Sequence, residues 1–123
     1  MTSLPTHLDQ QIQRDIPPLR AGEVELSEAA HTVTVAGHST MLTPQEFRLL
    51  TLLLHNVDYV VPTQYLFDQL WGRDHMGDPS TLKVHVMRLR KKLDRKHPGT
   101  SAHIRTVRGV GYIFDSTPQP PDR

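Results

Sequence analysis

The 123-residue sequence has no cysteine and no long apolar run. Without cysteine the chain has no disulfide framework, no thiolate metal ligand and no cysteine nucleophile, a composition that fits a reducing cytoplasm. The longest apolar stretch, Leu49–Leu54, is six residues long and includes Thr51, whereas a membrane span needs about 18. The N-terminus lacks the basic region and apolar core of a signal peptide. These absences predict a soluble cytoplasmic protein with no membrane partner.

The motifs of common enzyme classes are missing too. Gly109 and Gly111 fall in a predicted hairpin, and no GK[ST] phosphate-binding sequence occurs. Asp74 and Asp78 lie on a polar loop without an evident partner, and no Ser-His-Asp group follows from the spacing. The eight histidines include no i, i+4 pair and have no cysteine to help them. We therefore expect no enzymatic activity, no metal and no cofactor.

Charge is distributed unevenly along the chain. Residues 1–71 carry three Lys/Arg and eight Asp/Glu, whereas residues 72–116 carry ten Lys/Arg and four Asp/Glu. Such asymmetry predicts an anionic partner for the second half. The length allows one domain with tails. We expect a flexible lead-in over residues 1–18, a folded domain over 19–116 and a disordered, proline-containing tail over 117–123.

The most informative segment is Ser80–Lys96, which has the periodicity of a helix. One apolar stripe faces the core and consists of Leu82, Val86, Leu89 and Leu93. The opposite side is almost free of acids; we call it the basic face, and it comprises Ser80, Val84, Met87, Arg88, Lys91 and Arg95. A basic face with apolar groups suits duplex DNA, although a solvated basic helix has the same pattern.

Short strands precede this helix. From Leu19 onward Val24 and Leu26 alternate with acidic residues, which predicts three or four antiparallel strands. We expect a turn at Gly37-His38 and a further strand at Thr40–Leu42. So small a sheet must lie against another layer to bury its apolar face.

Two more helices are predicted between the strands and the basic helix. Thr43 and Glu46 form a capping box around Pro44, and a stripe from Phe47 to Leu54 continues to about Asn56. A second helix starts at Pro62-Thr63 and ends at Gly72. Its predicted apolar side consists of Tyr65, Leu66, Leu70 and Trp71. Trp71 is expected to pack in the core or between helices.

After Pro98-Gly99 the pattern predicts a hairpin. Ile104–Val107 and Tyr112–Phe114 flank a glycine-containing turn, and we call the whole hairpin, residues 104–114, the wing. Arg108 would stand at its tip between permissive glycines, with no packing reason to be arginine. Three helices, the third basic, followed by a hairpin predict an α+β winged helix-turn-helix domain with an N-terminal antiparallel sheet.

The chain resembles the effector domain of OmpR/PhoB-type response regulators of two-component systems. Four segments carry the resemblance: LTPQEFRLLTLLL at Leu42–Leu54, LWG at Leu70–Gly72, TLKVHVMRLRKKL at Thr81–Leu93 and IRTVRGVGYIF at Ile104–Phe114. The resemblance implies sequence-specific binding to double-stranded DNA and transcription regulation. It further implies tandem direct repeats, a head-to-tail dimer on DNA, and RNA polymerase as a partner.

Roles follow from the resemblance for matching residues. The helix at 80–96 would enter the major groove, with Thr81 and His85 on phosphates, Val84 on a thymine methyl and Arg88 on a base or phosphate. Arg108 would enter the minor groove. The implied DNA-binding set is Ser80, Thr81, Val84, His85, Met87, Arg88, Lys91, Arg95, Thr106 and Arg108. The implied polymerase-contact loop contains Arg73, Asp74, His75, Met76 and Asp78.

Because of three departures from the family pattern, the target sequence cannot be inferred from that of a relative. Ser80 and Met87 replace common arginines, and Lys83 replaces a common acidic residue. The phosphoacceptor receiver domain is also missing, which fits either a fragment that begins in an interdomain linker or a stand-alone regulator.

Several alternatives stay open at this point. Arg90 lies nearer the core stripe, so it either contacts the partner or pairs with an acid. His85, at the margin of that stripe, is either structural or a phosphate contact. The whole domain could also be a protein-interaction module that binds polymerase or another regulator without specific DNA binding, or a competitor at another regulator's sites.

Overall fold

The computed structural model describes residues 16–72 and 77–118. The predicted lead-in and tail fall almost wholly outside these residues and stay predictions. No helix in the described ranges is long and apolar enough to cross a membrane. The elements are β1 (Leu19–Ala21), β2 (Val24–Ser27), β3 (Thr32–Val35), β4 (His38–Thr40), α1 (Pro44–His55), β5 (Val61–Pro62), α2 (Thr63–Trp71), α3 (Thr81–Lys96), a 3-10 turn (Thr100–His103), β6 (Ile104–Val107) and β7 (Gly111–Phe114).

The first four strands form an antiparallel sheet in the order β1-β2-β3-β4. Val24 pairs with Val35 and Leu26 with Val33, and all four side chains are buried against the helices. The period-2 alternation therefore predicted the inward face correctly, because successive strand residues point to opposite sides.

The predicted turn and last strand of this sheet were placed too far along the chain. The turn consists of Ala36 and Gly37, both with positive φ (50° and 80°), while His38 already pairs with Val35. Positive φ at both central residues gives the hairpin turn whose twist matches the strands. β4 then ends at Thr40, since Thr43 begins the cap of the next helix.

Helix α1 begins with the predicted capping box. Thr43 Oγ1 accepts from the Glu46 amide at 3.2 Å, and Glu46 Oε1 accepts from the Thr43 amide at 2.9 Å. The predicted stripe is buried, which confirms the first helix from its start to its end.

The apolar side of helix α2 contains Leu66, Leu70 and Trp71 as predicted, but Phe67 takes the place of Tyr65. Phe67 is buried with Leu66 and Leu70, whereas Tyr65 is 46% exposed. The helix begins at Thr63 as predicted and is nine residues long, so the periodicity was too short to distinguish Tyr65 from Phe67 as the third buried position. Trp71 packs between α2 and α3, with its ring centroid 5.0 Å from those of Phe67 and His85.

The wing belongs to a three-stranded sheet in the order β5-β7-β6. Strand β5 was not predicted from the sequence; it is only two residues long and pairs Val61 with Tyr112 and Pro62 with Gly111. A Cβ on Gly111 would collide with the Val61 carbonyl, so this glycine permits the approach of β5. Only Gly109 (φ 77°) gives the turn conformational freedom, which corrects the view of Arg108 as held between two permissive glycines.

Candidate nucleic-acid interface

The two sides of α3 separate as predicted. Its apolar stripe is buried, with Leu82, Leu89 and Leu93 fully inaccessible to solvent. Every residue of the basic face is exposed, including Val84 (40%) and Met87 (50%). No carboxylate in the described ranges forms an ion pair with Arg88, Lys91 or Arg95. The basic face is therefore a cationic surface with its charges uncompensated.

The beginning of α3 is held by the preceding turn. Asp78 Oδ1 accepts from the Ser80 amide at 3.0 Å, and hydrogen bonds from Ser80 lower the pKa of the Asp78 carboxyl. The amides of Thr81 and Leu82 donate to the carbonyls of Asp78 and Pro79. Contacts to an anion at this end must therefore come from side chains such as the Thr81 hydroxyl. Arg73, Asp74, His75 and Met76 lie outside the described residues, so the polymerase-contact loop stays a prediction.

The wing and the first turn of α3 border one groove of about 490 Å³. Ser80 and Lys83 line it from α3, and Thr106 and Arg108 line it from the wing. All four residues are exposed. Residues of α3 and of the wing, more than 20 positions apart in the sequence, thus face a common space.

Arg90 forms no ion pair with an acid in the described part of the chain. The interpretation that Arg90 pairs with an acid is therefore wrong. Its Nε donates to the Ile104 carbonyl at 2.9 Å and its Nη2 to Thr106 Oγ1 at 3.0 Å. Burial lowers the pKa of the Arg90 guanidinium, partly opposed by Tyr112. The side chain therefore joins α3 to the wing, a contact without a periodic signal in the sequence.

His85 lies at the margin between core and surface. Its ring packs against Trp71, and its buried Nδ1 finds no hydrogen-bond partner within the described ranges. Burial, together with the charge of Arg88, lowers the pKa of the imidazole, while Glu46 opposes this shift. Phosphate contact by His85 stays a prediction.

A contact that was not predicted from the sequence fixes α3 against α1. Lys92 Nζ lies 2.7 Å from Glu46 Oε1, and the Glu46 side chain is only 2% exposed. The sequence predicted Glu46 as part of a helix cap, and that role alone explained a glutamate at this position. Its second partner, Lys92, lies 46 positions away and was therefore not predicted. The signal that could have revealed the pair is that Glu46 falls beside the apolar stripe of α1.

Three helices, a cationic third helix and a wing beside its first turn define a winged helix-turn-helix domain. A family model described as "Transcriptional regulatory protein, C terminal" matches residues 37–114. The sensory transduction protein RegX3 of Mycolicibacterium smegmatis is 43% identical over 97 residues, which are 79% of this chain and 42% of RegX3. The chain thus spans less than half the length of this relative.

Two solved structures support the same assignment. Thermotoga maritima DrrB, an OmpR/PhoB homologue, superposes with a TM-score of 0.72 at 25% identity over 91% of this chain and 51% of DrrB. The DNA-binding domain of Klebsiella pneumoniae RstA, in complex with the RstA box, gives a TM-score of 0.69 at 25% identity over 81% of this chain and 98% of that domain. The chain belongs to the family of C-terminal effector domains of OmpR/PhoB-type response regulators. These are transcription-factor domains and not enzymes.

Proposed function

We propose that this chain binds specific sites on double-stranded DNA in the cytoplasm and thereby regulates transcription. The observation that carries the proposal is the uncompensated basic face of α3 beside the wing arginine. In addition, the similar RstA domain is known in complex with its DNA box. Lysine and arginine side chains neutralise phosphates and fix the register, whereas groups at base edges give specificity.

Helix α3 enters the major groove in this proposal. Val84 and Met87 are exposed apolar groups that fit thymine methyls, and Arg88 can bond guanine in a bidentate manner. Lys91 and Arg95 lie on the same face and contact phosphates. Ser80 and Met87 stand where the resemblance implies arginines, so α3 carries two fewer positive charges than an arginine-rich helix. We therefore propose that it relies more on contacts to thymine methyls and less on hydrogen bonds to guanine.

The wing inserts Arg108 into the neighbouring minor groove. A helix in the major groove of DNA and a wing in the neighbouring minor groove lie on either side of one sugar-phosphate strand. In the protein, the groove lined by Lys83 and Thr106 separates α3 from the wing and would receive that strand. Arginine is favoured where the minor groove is narrow and its negative potential is enhanced. Arg108 would therefore sense groove width more than base identity.

A single module of this size gives modest affinity, so specificity requires more than one copy. We propose that two copies bind tandem direct repeats head to tail, since the second binding event then gains effective concentration. Contact with RNA polymerase through the loop that includes Asp78 is likewise proposed from the resemblance.

The test compares three single variants on one duplex, enriched from a randomised pool by the unaltered chain. Arg88→Ala and Arg108→Ala should each weaken binding by about 5- to 100-fold, since each removes a charged DNA contact. Arg20→Ala is the matched control: Arg20 is exposed on β1 and paired with Glu25, and its removal should leave affinity within about twofold. Unchanged binding by both the Arg88 and the Arg108 variants would overturn the proposal and favour the protein-interaction module.

A further inference from the structure

Arg90 faces the wing and not the basic face. Its two hydrogen bonds, to the Ile104 carbonyl and the Thr106 hydroxyl, reach alternate residues of strand β6. The guanidinium is planar and its donors have a fixed arrangement, so two bonds from one guanidinium define both distance and orientation. This side chain therefore ties β6 directly to α3, whereas the pairing of β5 with β7 and the bond from the Thr63 amide to the Val110 carbonyl tie the wing to α2.

The bond to Thr106 also directs the threonine hydroxyl. A hydroxyl has one hydrogen and two lone pairs, and here one lone pair accepts from Arg90. The hydrogen of the Thr106 hydroxyl must then point away from Arg90. Thr106 is exposed and lines the groove between α3 and the wing. Because phosphate oxygens only accept hydrogen bonds, this orientation suits a phosphate in the groove, and the charge behind the hydroxyl strengthens its donor.

We propose that Arg90 is a positioning residue for DNA binding that does not itself contact DNA. It fixes the distance of the wing from α3 and presents Thr106 as a donor to a backbone phosphate. This inference rests on the proposed function. A wing that can shift relative to α3 loses the minor-groove contact of Arg108 first, because that contact depends on α3 and the wing engaging together.

A double-mutant cycle separates this role from direct contact. Arg90→Met and Arg108→Ala should each weaken binding to the enriched duplex by about tenfold. Because Arg90→Met already loses the Arg108 contact, the double variant should bind more tightly than the product of the two single effects, and only the Thr106 phosphate contact should separate it from Arg108→Ala alone. A direct phosphate contact by Arg90 would instead give multiplied effects and would lower the salt slope by about 1 in both backgrounds. That pattern would overturn the proposal. Arg20→Met is the control for loss of one remote charge.

A second measurement reports on the wing without DNA. ¹⁵N relaxation of the Arg90→Met chain should show wing-turn amides falling from rigid values near 0.85 towards about 0.6 in order parameter, with α1 amides unchanged. Arg90→Lys serves if the methionine variant does not fold. Unchanged wing order parameters would overturn the positioning role. If the unaltered chain binds no duplex, the proposed function fails together with the DNA role of Arg90, whereas the relaxation still shows whether Arg90 holds the wing.

Discussion

Glu46 and Lys92 join the first turn of α1 to the C-terminal half of α3. Lys92 Nζ lies 2.7 Å from Glu46 Oε1, the oxygen that also accepts from the Thr43 amide at 2.9 Å. One buried carboxylate thus caps α1 and fixes α3, the helix that carries the basic face. Burial favours the neutral acid, but the bonds from Lys92 and Thr43 outweigh it and lower the pKa of Glu46.

Removing the lysine should destabilise the fold. Lys92→Met leaves the Glu46 carboxylate buried without its charged partner, so we expect a loss of about 1–3 kcal/mol in the free energy of unfolding. Urea denaturation at pH 7 measures it. Lys91→Met, one residue away and exposed, should cost less than about 0.5 kcal/mol. Equal losses for the two variants would show that the pair contributes nothing specific.

The same carboxylate predicts a pH dependence. The folded pKa of Glu46 is lowered, so its stabilisation is complete above the ordinary glutamate pKa of about 4.3 and is lost as the pH falls through the folded pKa. Glu46→Gln lacks this titration. The difference in unfolding free energy between the native chain and Glu46→Gln should therefore shrink from pH 6 to about pH 3. A difference that stays constant with pH contradicts the assignment.

Two glycines with positive φ should respond differently to alanine. A Cβ on Gly22 would lie 2.5 Å from the His103 ring, whereas a Cβ on Gly37 meets nothing within 4 Å. His103 cannot move easily, because it is buried, bonded to the Asp115 carbonyl at 2.6 Å and stacked on Phe114. Gly37→Ala reports left-handed strain alone, about 1–2 kcal/mol. Gly22→Ala should cost about 1–3 kcal/mol more, and equal unfolding free energies would contradict this packing.

The revised face of α2 can be tested by two truncations. Phe67→Ala should cost about 3–5 kcal/mol because the ring is 3% exposed. Tyr65→Ala should cost less than about 1 kcal/mol, since its side chain is 46% exposed. Thermal and urea unfolding of both variants give the comparison. A larger loss for Tyr65→Ala would restore the stripe expected from the sequence.

An arginine introduced at position 87 should change the base sequence that the chain prefers. Met87→Arg places a bidentate donor on the exposed face of α3, so guanine should be enriched at one position of the selected duplex, with discrimination of about 1–3 kcal/mol. Repeating the selection with this variant tests it, and Met87→Leu is the control that keeps the position apolar. An unchanged selected sequence would remove Met87 from the base-reading surface.

Local signals in the sequence predicted most of the fold. The capping box at Thr43, the stripe of α3 and the alternation around Leu26 each lie within a few residues, and each is confirmed. What the sequence did not reveal depends on residues far apart along the chain. Strand β5 is only two residues long and exists because Gly111 lets it approach β7.

The candidate site shows the same division. Periodicity was enough to place Arg88, Lys91 and Arg95 on one exposed face. It could not assign Arg90, because the choice between surface and wing depends on where Ile104 and Thr106 lie in space. Hydrogen bonds between different helices and strands produce no periodicity in the sequence. They nevertheless determine which positively charged side chains remain available to bind a partner.

The most direct test of the central claim is a fluorescence-anisotropy titration against the selected duplex at several salt concentrations. The proposed DNA surface carries exposed cations at Lys83, Arg88, Lys91, Arg95 and Arg108. If most of them neutralise phosphates, log affinity should fall with log salt at a slope of about −3 to −5 for each bound copy, and the selection should enrich direct repeats. Weak binding with a shallow slope and no enriched sequence would contradict specific DNA recognition by this chain.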